Sequence, residues 1–219
     1  MSEIATLADL TSLGRRRLSD NFFMRDMLYS EVGNLAGVPN IPEDPELAIE
    51  AGGQLCRLVL EPLLAAFGHI AIRSAYRSPT LNAHCHELYK QGVTDAWCTC
   101  NEDNAAYHIW DRRDDQGNLG AVATIVIPSY IEHYERTQDW RSLGWWMRDH
   151  LEHYAQVQFF RTFCAFNIRW YEGPSDQSIG YLDPPTRETL TQRGASNFDG
   201  DHHASYAAIL SAGVKVLRG

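Results

Sequence analysis

Apolar residues recur at helical spacing over residues 48–67, and the only interruption of that pattern is Pro62. This spacing predicts a helix that packs one face into a core and kinks near the proline, which lacks a backbone N–H. A proline-rich loop, residues 38–45, precedes the helix. Asp44 or Glu43 is placed to accept hydrogen bonds from its first turn as an N-cap.

Beyond this helix the pattern changes. Residues 69–76 alternate between apolar and polar side chains, which predicts a half-buried strand, and residues 121–127 predict a second strand. Residues 129–154 are typical of a helix, and residues 159–168 predict a short helix or turn that leads into a third strand. The tail from Pro184 is polar and rich in turn residues, so residues 184–219 are expected to lie as an extension over the surface.

Composition narrows the class of protein. The chain has 219 residues, of which 44% are apolar, and this is enough for a single domain, residues 1–219, with a buried core. The formal net charge of −9 argues against a protein that grips nucleic acid phosphates or an anionic membrane. We therefore expect no nucleic acid partner, and a small or cationic ligand suits the chain better.

No feature of the sequence predicts export or membrane insertion. The amino terminus lacks the apolar core and small-residue cleavage site of a signal peptide, and no stretch approaches the ~18 apolar residues of a membrane span. An odd number of cysteines in a chain of this size favours reduced thiols and synthesis in the cytoplasm. The five cysteines are Cys56, Cys85, Cys98, Cys100 and Cys164.

Four segments in order, residues 21–31 (NFFMRDMLYSE), 37–42 (GVPNIP), 60–63 (LEPL) and 72–83 (IRSAYRSPTLNA), resemble the D-alanyl-D-alanine carboxypeptidase family of zinc metallopeptidases. That family is itself similar to the Hedgehog signalling domain. The resemblance implies an α+β fold in which helices flank a small antiparallel sheet. It also implies that the first segment is a helix ending in a Ser-Glu turn.

The last of these segments contains Tyr-Arg-Ser at the end of a predicted strand. The guanidinium of Arg77 has a fixed fork of donors that can hold a carboxylate or carbonyl oxygen at two points. The resemblance implies that Arg77 holds the substrate dipeptide and polarises its peptide carbonyl, which stabilises the oxyanion. The alternative is that Arg77 pairs with a surface carboxylate.

In the resembled family a histidine and an aspartate in Ser-x-His-x-x-Gly-x-Ala-x-Asp bind zinc, and the metal activates a water. His108 is the best candidate for the first ligand. Asp115 has the family's separation from it, whereas alignment of the following strand puts the aspartate position on Thr124. In that case an insertion follows His108, and Asp111, Asp114 or Asp115 supplies the carboxylate. The alternative for each acid is an ion pair with a neighbouring arginine.

The family's third ligand is a histidine that follows a tryptophan, and a glutamate three residues earlier is the general base. Alignment places Tyr171 at the histidine and Ile168, which cannot take a proton, at the base. Glu172 is a candidate ligand or base displaced by a residue or two. His202 or His203 in the tail could also complete the metal site.

Two further groups could bind a metal. His150 and His153 share a helical face, although this spacing arises often by chance. Residues 84–86 (His-Cys-His) with Cys98 and Cys100 combine thiols and imidazoles, which suit structural zinc. Because the Cys-x-Cys spacing differs from that of common zinc knuckles, the sequence favours packing as the main role of these cysteines.

Three functions follow from the resemblance. The first is a zinc-dependent hydrolase of peptidoglycan stem peptides, encoded by a phage or prophage, virion-associated or released to the cell wall during lysis. The second is a catalytically inactive descendant, favoured by Tyr171 and Ile168. Its role would be to bind the wall or to join other structural proteins of a phage particle. The third is a zinc enzyme with a rebuilt ligand set and another amide substrate.

Overall fold

A computed structural model describes residues 4–93 and 98–211 of the chain. The chain divides into two compact units. Unit 1 comprises Met1–Arg57, Ser74–Ala123 and Tyr171–Gly173, and unit 2 comprises Leu58–Arg73, Thr124–Trp170 and Pro174–Gly219. Residues 212–219 of the predicted surface extension lie outside the described residues.

Helices and strands alternate irregularly along the described residues. The helices are α1 (Leu7–Gly14), α2 (Met24–Met27), α3 (Glu31–Ala36), α4 (Pro45–Leu55), α5 (Glu61–Phe67), α6 (Pro79–Lys90), α7 (Asn101–Asn104), α8 (Pro128–Thr137), α9 (Arg141–His150) and α10 (His203–Ser211). The strands are β1 (Ala71–Ser74), β2 (Gly120–Val126), β3 (Gln156–Phe159), β4 (Phe166–Tyr171), β5 (Ser178–Asp183) and β6 (Thr186–Thr191). None of the helices in this part of the chain has the length and apolar character that a membrane crossing requires.

The helix predicted over residues 48–67 is confirmed, with its interruption. Asp44 is the N-cap of α4 and accepts a hydrogen bond of 3.1 Å from the backbone N–H of Leu47. Because Pro62 has no N–H to donate to the preceding turn, the regular hydrogen-bond ladder cannot continue there. A π-helical turn, Cys56–Leu60, separates α4 from α5 at this point.

In unit 1 a close contact positions the loop that contains His108. Trp110 is fully buried, and its indole N–H donates to the carbonyl oxygen of Val122 at 3.2 Å. A Cβ atom at Gly52 on α4 would lie only 2.6 Å from the Trp110 ring. Glycine at this position therefore lets the indole pack against the helix and holds the loop in place.

The first segment of the family resemblance is less helical than the resemblance implies. Only Met24–Met27 forms a helix in residues 21–31, and Ser30 begins the next helix by accepting from the N–H of Gly33 at 3.1 Å. The Ser-Glu pair therefore starts α3 and does not end a longer helix.

The sheet has six strands in the order β1-β2-β4-β3-β5-β6 and is mostly antiparallel. Strand β3 pairs antiparallel with β4 and parallel with β5, and β5 pairs antiparallel with β6. A mixed α and β architecture is thus confirmed, but the sheet is larger than the predicted small one. Among the additional strands, β6 has Leu190 as its one apolar residue and therefore lacks an apolar pattern.

Two predicted segments of unit 2 also differ in detail. Residues 129–154 form α8 and α9, because Gln138 adopts a left-handed conformation with φ of 57° and ends α8. The tail after Pro184 contributes β6 and α10. Helix α10 packs against α9, where the hydroxyl of Ser142 donates to the carbonyl oxygen of Ser205 at 2.8 Å.

Candidate functional site

Arg77 lies in unit 1, three residues after the end of β1. Its Nη1 atom donates to Oδ1 of Asn82 at 3.1 Å and to Sγ of Cys98 at 3.0 Å. Its backbone N–H donates to the carbonyl oxygen of His108 at 2.8 Å, so these two candidate residues are adjacent. The guanidinium therefore faces an amide and a thiol, and the surface carboxylate weighed from the sequence is not its partner in these contacts.

An asparagine network surrounds this guanidinium. Asn82 is fully buried, and its Oδ1 atom accepts from both Arg77 and Nδ2 of Asn104. Its own Nδ2 donates to the carbonyl oxygen of Thr99 and to Oδ1 of Asn101. Sequence reasoning missed this network, because asparagines many residues apart give no periodic signal.

His108 is buried, with 7% of its surface exposed. Its Nδ1 atom lies 2.8 Å from the carbonyl oxygen of Ala75. Since a carbonyl can only accept, Nδ1 carries the proton and Nε2 keeps its lone pair. Burial, with a smaller contribution from the Arg77 guanidinium, lowers the pKa of His108 to about 3. The imidazole is therefore neutral at physiological pH.

Asp111 anchors the proline loop. Its Oδ2 atom accepts from the backbone N–H groups of Glu43 at 2.7 Å and Asp44 at 3.2 Å, next to the start of α4. Burial raises the pKa of Asp111 despite these two hydrogen bonds. The carboxylate is thus committed to backbone groups of unit 1.

The remaining acids of this loop have different surroundings. Asp115 is exposed to solvent. Asp114 accepts hydrogen bonds from the backbone N–H groups of Gln116 and Asn118 at 3.0 and 2.9 Å. It also accepts a hydrogen bond of 2.5 Å from the Tyr171 hydroxyl. The short side chain of Asp114 therefore stabilises the turn before β2.

Tyr171 and Glu172 also belong to unit 1 and are tied to the same loop. The Tyr171 hydroxyl donates to Asp114 and accepts from Nδ2 of Asn118 at 2.9 Å. Glu172 accepts from the N–H of Leu119 at 2.8 Å and pairs with Arg113 at 2.7 Å. These two interactions lower the pKa of Glu172, the hydrogen bond from Leu119 most. Glu172 is held as an ionised carboxylate.

Two positions that the alignment relates to catalysis lie in unit 2. Ile168 on β4 is fully buried in the apolar core. The Thr124 hydroxyl donates to Oδ1 of Asn167 at 2.6 Å. At these positions, therefore, unit 2 places an apolar side chain and a neutral hydrogen-bonded pair.

His202 lies in unit 2, just before α10. Its Nδ1 atom is 2.7 Å from Oδ1 of Asp149, and its Nε2 atom is 3.1 Å from the carbonyl oxygen of Asn197. The Trp145 ring stacks on the imidazole with the ring centroids 4.1 Å apart. Both ring nitrogens of His202 are therefore engaged within its own unit.

A zinc ion of the kind implied by the resemblance needs three protein ligands in one place. Within residues 4–93 and 98–211, no group of three or more His, Cys, Asp or Glu side chains could hold a metal ion. His108 has the orientation of a metal-binding histidine, with Nδ1 on a carbonyl and Nε2 open. The candidate carboxylates described above do not complete a ligand set around it.

Unit 1 also contains an open groove of about 630 Å³. This volume is in the range of sites for small ligands. The groove is lined by Leu7, Leu10, Thr11, Gly14, Arg25, Leu28, Ser30, Gly33, Asn34, Gly37, Val38, Pro39, Asn40 and Ile41. Its walls are mostly apolar, and Arg25 is the charged residue of this lining. Sequence reasoning missed the groove, although it is bordered by the proline loop.

The comparisons with known proteins give no relative: no family model, curated protein or solved structure matches the chain.

Proposed function

We propose that this protein is a non-catalytic binding module with a fold of the Hedgehog and D-alanyl-D-alanine carboxypeptidase type, and that it binds a cell-wall stem peptide. One observation carries the proposal. When the strand after His108 is aligned, three of the four positions that the resemblance assigns to zinc binding and catalysis hold Thr124, Ile168 and Tyr171, and each has a structural role. None of these side chains is a usual zinc ligand or a general base.

The groove of unit 1 supplies the binding site in this proposal. Leu10, Leu28 and Ile41 offer apolar surface for the methyl groups of alanine residues, and Asn34 offers amide hydrogen bonds. Arg25 is exposed, and its Nε atom donates to the carbonyl oxygen of Gly14 at 3.3 Å. That bond holds the guanidinium, and its Nη atoms are the donors that this proposal assigns to the terminal carboxylate of a peptide.

Calorimetric titration with a synthetic stem peptide ending in D-Ala-D-Ala tests this binding. We expect saturable binding that weakens roughly tenfold in Arg25→Gln, because a charge-assisted pair with the carboxylate is lost. A peptide whose C-terminus is amidated should bind the wild type about as weakly as the unmodified peptide binds Arg25→Gln. Arg15→Gln is the matched control, because Arg15 is exposed at the end of α1 and does not line the groove.

Three outcomes contradict the proposal. One is the absence of binding to the wild type. Another is an equal loss in Arg25→Gln and Arg15→Gln. The third is release of D-alanine during the titration, measured by chromatography. A binding module leaves the peptide intact.

The second candidate is the zinc-dependent hydrolase with a rebuilt ligand set. The orientation of His108 favours it, since Nδ1 is fixed by Ala75 and the neutral Nε2 can accept a metal. Elemental analysis of protein purified without chelator separates the two candidates. One zinc per chain that is lost in His108→Ala would support the hydrolase. Protein that binds the stem peptide without zinc would support the binding module.

A further inference from the structure

Two cysteines of unit 1 lie together beside Arg77. Cys85 is on α6 and Cys98 follows it in the chain, and both belong to a small apolar cluster with Leu81. Both side chains are buried in this one cluster, and the thiols affect each other's pKa. Both cysteines are free thiols, with 9% of Cys85 and 4% of Cys98 exposed. The pair is therefore close enough to react internally while most large reagents are kept out.

Polar groups around this pair favour a thiolate. Nη1 of Arg77 lies 3.0 Å from Sγ of Cys98 and stabilises negative charge on the pair. The Cys98 thiol donates to Oδ1 of Asn82 at 3.3 Å, which favours retention of its own proton. The hydrogen bond from Cys98, followed by the charge of Arg77, lowers the pKa of Cys85 to about 7. In exchange, the pKa of Cys98 is raised, first by its bond to Cys85. One proton leaves the pair readily, and the other stays.

Cys164 and Cys100 lack this combination. Cys164 is buried in unit 2, and burial raises the pKa of its thiol. Cys100 is partly exposed. A backbone hydrogen bond from Asp103 lowers the pKa of its thiol, but the Glu102 side chain, burial and the Asp103 carboxylate together raise that pKa above its ordinary value. Neither Cys164 nor Cys100 therefore has the environment that lowers the pKa of Cys85.

We propose that Cys85 and Cys98 form a redox-active thiol pair that a small hydroperoxide oxidises to a disulfide. The Cys85 thiolate attacks one oxygen of hydrogen peroxide, the O–O bond breaks, and hydroxide leaves, which gives a sulfenic acid. The Cys98 sulfur then attacks the Cys85 sulfur, the S–OH bond breaks, and water leaves with the proton from Cys98. Two thiols and one peroxide yield one disulfide and two waters.

The reaction alters the surroundings of Arg77. Before oxidation, the guanidinium donates to a sulfur that shares one negative charge with its partner. The disulfide is neutral, so Arg77 loses that charge and keeps the amide oxygen of Asn82. This inference is independent of the groove, because none of these residues lines it.

Peroxide treatment of the full chain, followed by mass spectrometry, tests the proposal. We expect loss of two hydrogen atoms per chain, a linked peptide that contains Cys85 and Cys98, and reversal by dithiothreitol. Cys85→Ser and Cys98→Ser should each abolish the linked peptide. Cys100→Ser is the matched control and should form it at the wild-type rate.

Arg77→Gln gives a second measurement that does not depend on removing a thiol. Linking should slow roughly tenfold at neutral pH, because the attacking species is the thiolate that the guanidinium stabilises. A disulfide that joins Cys100 to either partner would overturn the proposal. So would oxidation of Cys85 to a sulfinic acid in the wild type without a linked peptide, or an unchanged rate in folded Arg77→Gln.

Discussion

His108 of unit 1 and His202 of unit 2 are both held by hydrogen bonds, but they differ in the number of ring nitrogens that are used. His108 uses Nδ1 on the carbonyl of Ala75, and its Nε2 atom has no recorded hydrogen bond within the described residues. His202 uses both nitrogens, one on Asp149 and one on the carbonyl of Asn197. An imidazole can act as a ligand or base only through a free lone pair, so of these two histidines it is His108 that retains this chemistry.

The charged groups beside the two histidines also differ. Burial beside the Arg77 guanidinium favours the neutral form of His108. In contrast, His202 faces the carboxylate of Asp149, which also accepts its backbone N–H at 3.1 Å. That aspartate is on α9, and His202 immediately precedes α10. His202 is therefore a structural link within unit 2. No spacing in the sequence indicates its pairing with Asp149.

The largest expected effect is the acid sensitivity that His108 confers. Its pKa falls from 6.5 to about 3 on folding, so the neutral form stabilises the fold above pH 6.5 and this stability is lost as pH falls toward 3. In this pH window, the titration of His108 should lower the free energy of unfolding of the wild type by up to about 1.4 kcal/mol for each unit that the pH falls. Urea unfolding of wild type and His108→Gln across this range measures the difference. Parallel pH profiles for the two proteins would contradict it.

The next largest effect concerns the hydrogen-bonded pair of His202 and Asp149 in unit 2. Asp149→Ala removes the partner of His202, whose side chain is only 13% exposed, and should cost about 2–3 kcal/mol in the free energy of unfolding. Asp199→Ala is the matched control, because Asp199 is 93% exposed and 3.5 Å from Arg148. That change should cost less than about 0.5 kcal/mol. Thermal unfolding of both variants gives the comparison, and equal losses would show that the link is weak.

Local features of the fold were predictable from the sequence. Residues 44–67 combine a capping Asp44, an apolar face and Pro62, and all of these act within one or two helical turns. Strands β1 and β2 likewise have a clear apolar pattern. Strand β6 has little apolar pattern, because half of its residues are exposed, and pairing with β5 determines its conformation.

The candidate site was predictable only as a set of residue types. Arg77 and His108 were identified by motif, and the structure places their backbones in hydrogen-bond contact. The partners of Arg77 and Tyr171, such as Cys98 and Asp114, come from distant parts of the sequence. Long-range hydrogen bonds of this kind depend on chain folding and leave no spacing that a sequence pattern can report.

Glu172 of unit 1 offers the smallest effect and the sharpest contrast with Asp149, whose side chain is only 12% exposed. Its side chain is 47% exposed and that of Arg113 is 40% exposed, so solvent screens their ion pair. Glu172→Gln keeps an oxygen that can accept from the N–H of Leu119, and it should cost only about 0.5 kcal/mol at neutral pH.

The lowered pKa of Glu172 means that its contribution is present above the ordinary carboxyl pKa and is lost as pH falls through the folded value. Urea unfolding should therefore show wild type and Glu172→Gln converging in acid. If Glu172 instead acts as a base, the substitution would leave stability unchanged and abolish release of D-alanine from a stem peptide. A small stability loss without any hydrolysis in the wild type would assign this carboxylate to the loop before β2.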